Sequence, residues 1–399
     1  MDVVSFIKQR IRQDHAFFGE VLGQNDDHAR LQYLAKAFFS DMEDWQRALY
    51  ARLLVSYTMS QHAKSGASAF GDILHTVEAS KEYAFKGQRL HRFHLVNVYL
   101  LGLALYSALP NLQTLLSNEI GDREWELLSG GSKRNEFIFR WKLASLFHDV
   151  GTSIALYGPN EQASLRRALV LFQMGIGQNW LPGDWENIQL TNIHRLSRGM
   201  STFDVLRNVD QAQGDLTERL SQKLAEDGFV PKRKEKAIHY DHGLTSAALL
   251  LKALDEMYRH YDDETLHNPV VFLFGRRVSF RREFFDCSIA AAAHAIALHN
   301  IDFYEEDWQK TPVLARLGVR DFELYDFAKH PLASLLKLCD TLQEWDKPKV
   351  RGLKKRTKPK AIDLRIDGDT LQLSKFPKAE KLKAQLEKFF QNAEFISLL

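Results

Sequence analysis

Cysteine is scarce in this chain of 399 residues, which has only Cys287 and Cys339. Both lie in apolar sequence and far apart, a pattern that favours buried thiols over a disulfide framework and fits a reducing compartment. The N-terminal region lacks the apolar core of a secretory signal, because Lys8, Arg10 and Asp14 interrupt it. The sequence therefore predicts a cytoplasmic protein without a targeting segment.

Long uninterrupted apolar runs are also missing. The most apolar stretch, 95–112, contains Asn97, Ser107 and Pro110 and is shorter than the roughly 20 apolar residues that span a bilayer. We interpret it as a buried helix, and expect no membrane partner. The formal net charge of +2 gives a weak overall field, so no partner follows from charge alone.

Helical periodicity dominates the rest of the sequence. Along residues 27–59, apolar side chains recur at intervals of three and four, the spacing of one helix face. Strong helical patterns follow at 90–109, 135–150, 243–261, 284–299 and 322–345. The sequence predicts an all-α fold in which helices pack on helices.

Three segments depart from this pattern, and a final helical segment follows them. Residues 157–236 have weaker periodicity and many glycines and prolines, which indicates an insertion of short helices and loops. Residues 267–282 are compatible with a short strand or a buried turn. Residues 362–373 alternate apolar and polar side chains around Asp367-Gly368, which predicts a β-hairpin. Residues 379–390 predict a final helix.

Polar side chains interrupt three of the apolar helices. His148 and Asp149 end one helix, with Gly151 where helices commonly stop. His94 lies at the start of a second helix, and Asp340 lies late in a third. A buried imidazole or carboxylate is costly unless it is paired or bound to a cation. We therefore expect these side chains to share one partner.

The order His94, then His148-Asp149, then Asp340 resembles the pattern of the HD superfamily of metal-dependent phosphohydrolases. The resemblance covers about residues 91–345. It implies that these four side chains converge from separate helices on a divalent cation. Imidazole and carboxylate ligands suit Mn, Fe, Co, Ni or Zn, and a looser site suits Mg. The sequence does not distinguish among these metals.

The resemblance also implies a domain organisation. Residues 91–345 would form an HD-domain helical bundle, with the insertion at about 157–236. Residues 1–90 would form an N-terminal helical region packed on this core. Residues 346–399 would contain a basic linker, the small β-hairpin and the C-terminal helix.

Two further histidines, His242 and His299, resemble the additional ligands of dinuclear HD enzymes. One or two cations are therefore expected, with a second ion about 3.5 to 4 Å from the first. Asp149 would bridge the two ions, and we assign it the catalytic role. His294 is a rival to His299, but it lies five positions earlier and roughly 140 degrees around the helix. We prefer His299, which lies near the helix end and fits the family's pattern better.

Several residues distinguish among the branches of the family. Thr152 stands where cyclic-dinucleotide phosphodiesterases usually have a basic residue, and the extra histidines argue mildly against a single-metal dNTP triphosphohydrolase. The chain looks most like stand-alone bacterial HD proteins. We predict hydrolysis of a phosphomonoester, phosphodiester or pyrophosphate in a nucleotide-type substrate by metal-activated water. His91 and Asn97 are candidate substrate-binding residues.

Two other functions remain open. The basic segment 347–360 is either a solvated linker or a funnel for the phosphates of a nucleotide or nucleic acid. The second reading favours a metal-dependent nuclease that cleaves single-stranded nucleic acid. The third possibility is a non-catalytic HD-fold sensor or scaffold, which binds a nucleotide without turnover.

Overall fold

The computed structural model describes part of the chain. The described residues are 1–19, 25–40, 43–60, 91–120, 132–150, 270–273, 276–279, 288–299, 326–343, 362–374 and 394–398, with single positions within 243–250 and 383–390. This part is mostly helical, with one three-stranded sheet and one two-stranded hairpin. The prediction of a mainly α-helical fold is confirmed at that level. The predicted insertion and the basic segment 347–360 lie outside the described residues.

The N-terminal region contains helices α1 (Val3–Gln13), α2 (Asn25–Phe38) and α3 (Asp44–Ser60). The sequence predicted one continuous apolar face along 27–59, and this prediction is wrong for α3. Trp45, Leu49 and Leu53 are exposed. The chain turns after α2, so α3 packs back against it with a different face, which buries Ala48, Ala51, Leu54 and Val55.

The most apolar stretch forms buried helices, as predicted. Helix α4 (His91–Ala108) is followed directly by α5 (Pro110–Ile120). Proline is tolerated in the first turn of a helix, where its missing N–H has no partner to lose. The segment Phe93–Ala108 meets α5 at an angle of 104°. Among the described helices, none is by itself long and apolar enough to span a membrane, and only this bent pair meets both criteria together.

Helix α6 (Lys133–Phe147) is the central element of the described core. Its N-cap Ser132 accepts a hydrogen bond from the backbone N–H of Asn135, and every residue from 136 to 147 is buried. Helix α6 packs against α4 so closely that a Cβ at Gly102 would lie 1.9 Å from Trp141 Cζ2. Trp141 Nε1 donates to the Tyr99 carbonyl at 2.9 Å across the same contact. This contact therefore fixes the distance between α4 and α6.

Two more helices complete this core. Helix α7 (Ala290–Leu298) packs against α6, and α8 (Pro331–Leu342) packs against α4 and α7. The predicted helix at 322–345 is wrong at its start, because residues 326–330 form a turn and α8 begins at Pro331. The residue before a proline disfavours the helical region. His330 accordingly has φ −136° and ψ 61°.

The irregular segment 267–282 contains strands. Strand β1 (Val270–Leu273) pairs antiparallel with β2 (Arg276–Ser279), which decides between the two readings in favour of a strand. The described helical positions 243, 246, 247 and 250 agree with the helix predicted at 243–261.

The predicted C-terminal hairpin is confirmed. Strands β3 (Asp363–Asp367) and β4 (Thr370–Ser374) pair antiparallel, and Gly368 has the positive φ of 58° that their turn requires. Strand β5 (Ile396–Leu398), which the sequence did not predict, pairs parallel with β4. The Leu364 N–H donates to the Met1 carbonyl at 2.7 Å, which ties the chain's start to this sheet. The predicted final helix is described only at four helical positions between 383 and 387.

Candidate metal centre

His148 and His299 end their helices in the same way. Each is the C-cap residue of its helix and donates its backbone N–H to the carbonyl four residues earlier. Each side chain then turns back along its helix. His148 Nδ1 lies 2.8 Å from the Ser145 carbonyl, and His299 Nδ1 lies 2.6 Å from the Ile296 carbonyl. A carbonyl only accepts, so both Nδ1 atoms carry the hydrogen, and Nε2 of a neutral ring keeps its lone pair.

A buried ion pair helps fix α7 against α6. Glu136 Oε1 lies 2.8 Å from Arg140 Nε, and both side chains are buried. The Ser288 hydroxyl, just before α7, donates to the same oxygen at 2.6 Å. Hydrogen bonds to a charged group are stronger than neutral ones. We infer that this contact helps to set where the far end of α7, and His299, meets the end of α6.

Four of the predicted ligands meet at one point. His94 Nε2, from the first turn of α4, lies 2.9 Å from His148 Nε2 and 3.0 Å from Asp149 Oδ2. It lies 3.4 Å from Asp340 Oδ1, which α8 contributes. His148 Nε2 lies 3.7 Å from the same Asp149 oxygen and 4.0 Å from the same Asp340 oxygen. The structure therefore brings together side chains that are up to 246 positions apart in the chain (340 − 94).

The spacing of these atoms fits a bound cation. Ligand atoms about 2.1 Å from an ion in tetrahedral geometry lie about 3.4 Å from one another. The five separations that involve His94 or His148, 2.9 to 4.0 Å, bracket that value, and the ligand atoms of His94, His148 and Asp149 all lie within 4.8 Å of one another. The centre also retains access to solvent, since the side chains of His94 and Asp149 are each 13% exposed and that of Asp340 is 29% exposed. Two imidazole nitrogens and two carboxylates are ligands that first-row transition metals accept.

The two histidines differ in their protonation. Burial lowers the pKa of His148, and the charge of His94 opposes protonation further, against the attraction of Asp149. Burial would also lower the pKa of His94, but the hydrogen bond and charge of Asp149, with the charge of Asp340, outweigh it and raise the pKa. The raised pKa favours a proton on His94, whose Nε2 faces both His148 Nε2 and Asp149 Oδ2. This proton lies where a cation would bind.

Asp340 stays ionised in this setting. Burial would raise the pKa of Asp340, but the charges of His94 and His148 outweigh it and lower the pKa.

Sequence reasoning missed one nearby residue, Gln343, whose side chain interacts with His94 and contributes to its raised pKa. Its position three residues after Asp340, one turn along the same helix face, is the signal that would have identified it.

The structure separates His299 from His294. The rings of His299 and His148 meet edge to face, with centroids 5.0 Å apart. His294 instead faces His330, with ring centroids 5.4 Å apart. The neighbour of the candidate centre on α7 is therefore His299.

Of the remaining predicted site residues, only Asn97 has a described side chain. His242 lies outside the described residues. His91 begins α4, but its side chain is not among those described. Asn97 is completely buried one turn after His94, within the core rather than on an open surface.

Comparison with known proteins adds no further identification. Neither a protein-family model, nor a curated protein, nor a solved structure matches this chain. The functional interpretation therefore rests on the residues of the centre and on their geometry.

Proposed function

We propose that this protein is an HD-type metal-dependent phosphohydrolase that acts on a nucleotide-type substrate. The observation that carries the proposal is the convergence of His94, His148, Asp149 and Asp340, whose facing atoms lie within 4.0 Å of His94 or His148. Their order along the chain is that of the HD pattern. A polar cluster of this kind on three apolar helices is costly unless its members are paired or bound to a cation.

Each residue has a distinct part in holding the cation. His148 and His94 offer Nε2 atoms, and the hydrogen bond of His148 Nδ1 to the Ser145 carbonyl fixes its ring and tautomer. Asp340 and Asp149 supply the negative charge. When bound, a divalent cation lowers the pKa of a coordinated water and offsets the charge of phosphoryl oxygens. The net charge of the ligand set, two carboxylates and two neutral imidazoles, matches a dication.

Asp149 is the residue to which we assign the catalytic role. Its Oδ2 faces both histidines, and its side chain retains some exposure to solvent. A carboxylate in this position can orient a water molecule and accept its proton as the water attacks phosphorus. His299, beside His148, and His242 are proposed as ligands of a second cation.

The experiment compares the purified protein with the double variant His148→Ala/Asp149→Ala. The wild-type chain should retain transition metal and release phosphate or nucleoside products from a nucleotide panel in the presence of Mn²⁺. The double variant should lose both properties. Asp367→Asn, an exposed carboxylate in the β3–β4 hairpin, is the matched control. Hydrolysis that persists in the double variant, with metal content unaltered, would contradict the proposal.

The same screen separates the other two functions. Cleavage of labelled single-stranded DNA or RNA, lost on neutralisation of the basic segment 347–360, would identify a nuclease. A nucleotide that raises the melting temperature, with no product after long incubation, would identify a sensor.

A further inference from the structure

A second buried polar cluster lies between α7 and α8, away from the candidate metal centre. It contains His294 of α7, His330 at the N-cap of α8, and Ser334 one turn into α8. His294 is 3% exposed and Ser334 is completely buried. Three atoms of this cluster, His294 Nε2, His330 Nδ1 and Ser334 Oγ, are buried and have no hydrogen-bond partner among the described residues.

Leaving such atoms unpaired is expensive. A buried polar atom without a partner costs about 1 to 3 kcal/mol, so three such atoms on two packed helices require an explanation. Serines in helices commonly donate back to the carbonyl of the preceding turn. The Ser334 hydroxyl makes no such bond here, although its backbone N–H donates to the His330 carbonyl at 2.9 Å. The cluster therefore has unpaired atoms that can bind a guest, either an ion or a water molecule.

If His294 Nε2 and His330 Nδ1 both bind one ion, the separation of the ring centroids sets the angle between the two bonds. With a metal–nitrogen bond of about 2.1 Å, each ring centroid lies about 3.2 Å from a bound ion. Two centroids 5.4 Å apart then subtend an angle of about 115° at a common ion. This angle suits tetrahedral coordination. A linear two-coordinate ion would need the centroids about 6.4 Å apart on the same bond length.

Protonation does not compete with a guest here. Burial lowers the pKa of His294 to about 3, and the charge of His330 opposes protonation further. Burial also lowers the pKa of His330, against the attraction of Asp326. Both imidazoles are therefore neutral near pH 7, the form that binds metal. The carboxylate of Asp326 contributes negative charge near His330.

We propose that His294, His330 and Ser334 form a second cation site that takes one four-coordinate transition-metal ion of the Zn²⁺ class, with water as the remaining ligand. The site joins α7 to α8. These helices also carry His299 and Asp340, so the ion would brace the two elements that approach the first centre. The site does not depend on the function proposed above.

Cobalt(II) tests this site separately from the first. The background is the full chain with His148→Ala/Asp149→Ala, which removes two ligands of the first centre. Metal-free protein is titrated with Co²⁺, and visible absorption reports the intense bands of four-coordinate cobalt. We expect one equivalent to bind with these bands. Adding His294→Gln should weaken binding by roughly 100-fold, as expected for loss of a ligand.

The outcomes decide between a metal and other guests. Loss of the bands in His294→Gln and in His330→Gln, with the circular dichroism of the folded chain retained, supports the site. The His330 variant gives the answer if the His294 variant does not fold, because His330 is only half-buried. Absence of the bands in the background protein, or bands that survive both substitutions, would overturn the proposal and leave an ordered water molecule as the guest.

Discussion

Among the described residues, His94 faces His148 and His294 faces His330, and these two pairs differ in what surrounds them. The rings of His94 and His148 have centroids 4.9 Å apart, and those of His294 and His330 have centroids 5.4 Å apart. Asp149 and Asp340 lie within 4.0 Å of the first pair. The second pair has the Ser334 hydroxyl on the next turn of α8, and the charge of Asp326 acts on His330, where burial outweighs it.

This difference shows that a carboxylate within hydrogen-bond distance outweighs burial at His94, whereas burial prevails at His148, which lies 3.7 Å from the same Asp149 oxygen. Burial acts to lower the pKa in both pairs. It prevails at His294, whose pKa falls to about 3, and it is outweighed at His94, whose pKa rises. The first pair is therefore suited to a strongly charged ligand set and catalysis. The second pair offers only neutral ligands and is suited to a structural role.

Removing a carboxylate from the first pair should have the largest effect. Asp149→Asn takes away the negative charge closest to His94 Nε2, at 3.0 Å. We expect metal affinity to fall by roughly 100-fold and hydrolysis to fall to background. Affinity is measured by calorimetric titration with Mn²⁺, and hydrolysis by phosphate release. Unchanged Mn²⁺ affinity, with Asp367→Asn as the control, would show that Asp149 is not a ligand.

Changing the spacing of α4 and α6 should disturb the first pair and not the second. Gly102→Ala places a Cβ 1.9 Å from Trp141 Cζ2, on a rigid indole that cannot move aside cheaply. Overpacking of this kind costs about 1 to 3 kcal/mol. We expect a lower free energy of unfolding in urea and weaker Mn²⁺ binding, because His94 and His148 lie on these two helices.

Gly368, which has open space around it, provides the control for Gly102→Ala. Gly368 has a φ of 58° but no atom within 4 Å of an added Cβ. Gly368→Ala should therefore cost about 1 to 2 kcal/mol through backbone strain alone, with Mn²⁺ affinity unchanged. Equal effects of the two substitutions on Mn²⁺ affinity would mean that α4–α6 spacing does not position the first pair.

The last expected effect is confined to acidic pH and concerns the pH dependence of stability. His294 has a lower pKa folded than unfolded, so the unfolded chain takes up its proton first as the pH falls below about 6.5. Its contribution therefore destabilises the fold between about pH 6.5 and pH 3, by about 1 kcal/mol per pH unit. His294→Leu removes this contribution. Urea unfolding of chelator-treated protein at pH 6.5 and pH 5 should show a smaller loss of stability in the variant than in the wild type.

Sequence periodicity predicted the long helices well where burial is complete. Helix α4, predicted at 90–109, spans His91–Ala108, and α6, predicted at 135–150, spans Lys133–Phe147. The burial predicted from apolar spacing was wrong at Trp45, because a turn after α2 changes which face of α3 is buried. Apolar spacing also failed before Pro331, where steric restriction of the preceding residue outweighs helical spacing.

The residues of the candidate centre could be predicted from the sequence, but the distances between them could not. Polar residues on apolar helices identified His94, His148, Asp149 and Asp340, because burial requires a partner for each. Their facing atoms depend on helix packing, which no local pattern contains. The cluster of His294, His330 and Ser334 was missed for the same reason, since His330 directly follows a turn that was predicted to be helix.

The most direct test of the central claim is a crystal structure of the protein soaked in Mn²⁺, with anomalous scattering recorded for manganese. The account predicts an anomalous peak within about 2.5 Å of His94 Nε2, His148 Nε2 and at least one oxygen each of Asp149 and Asp340. No peak among these four side chains, with manganese bound elsewhere on the chain, would contradict it.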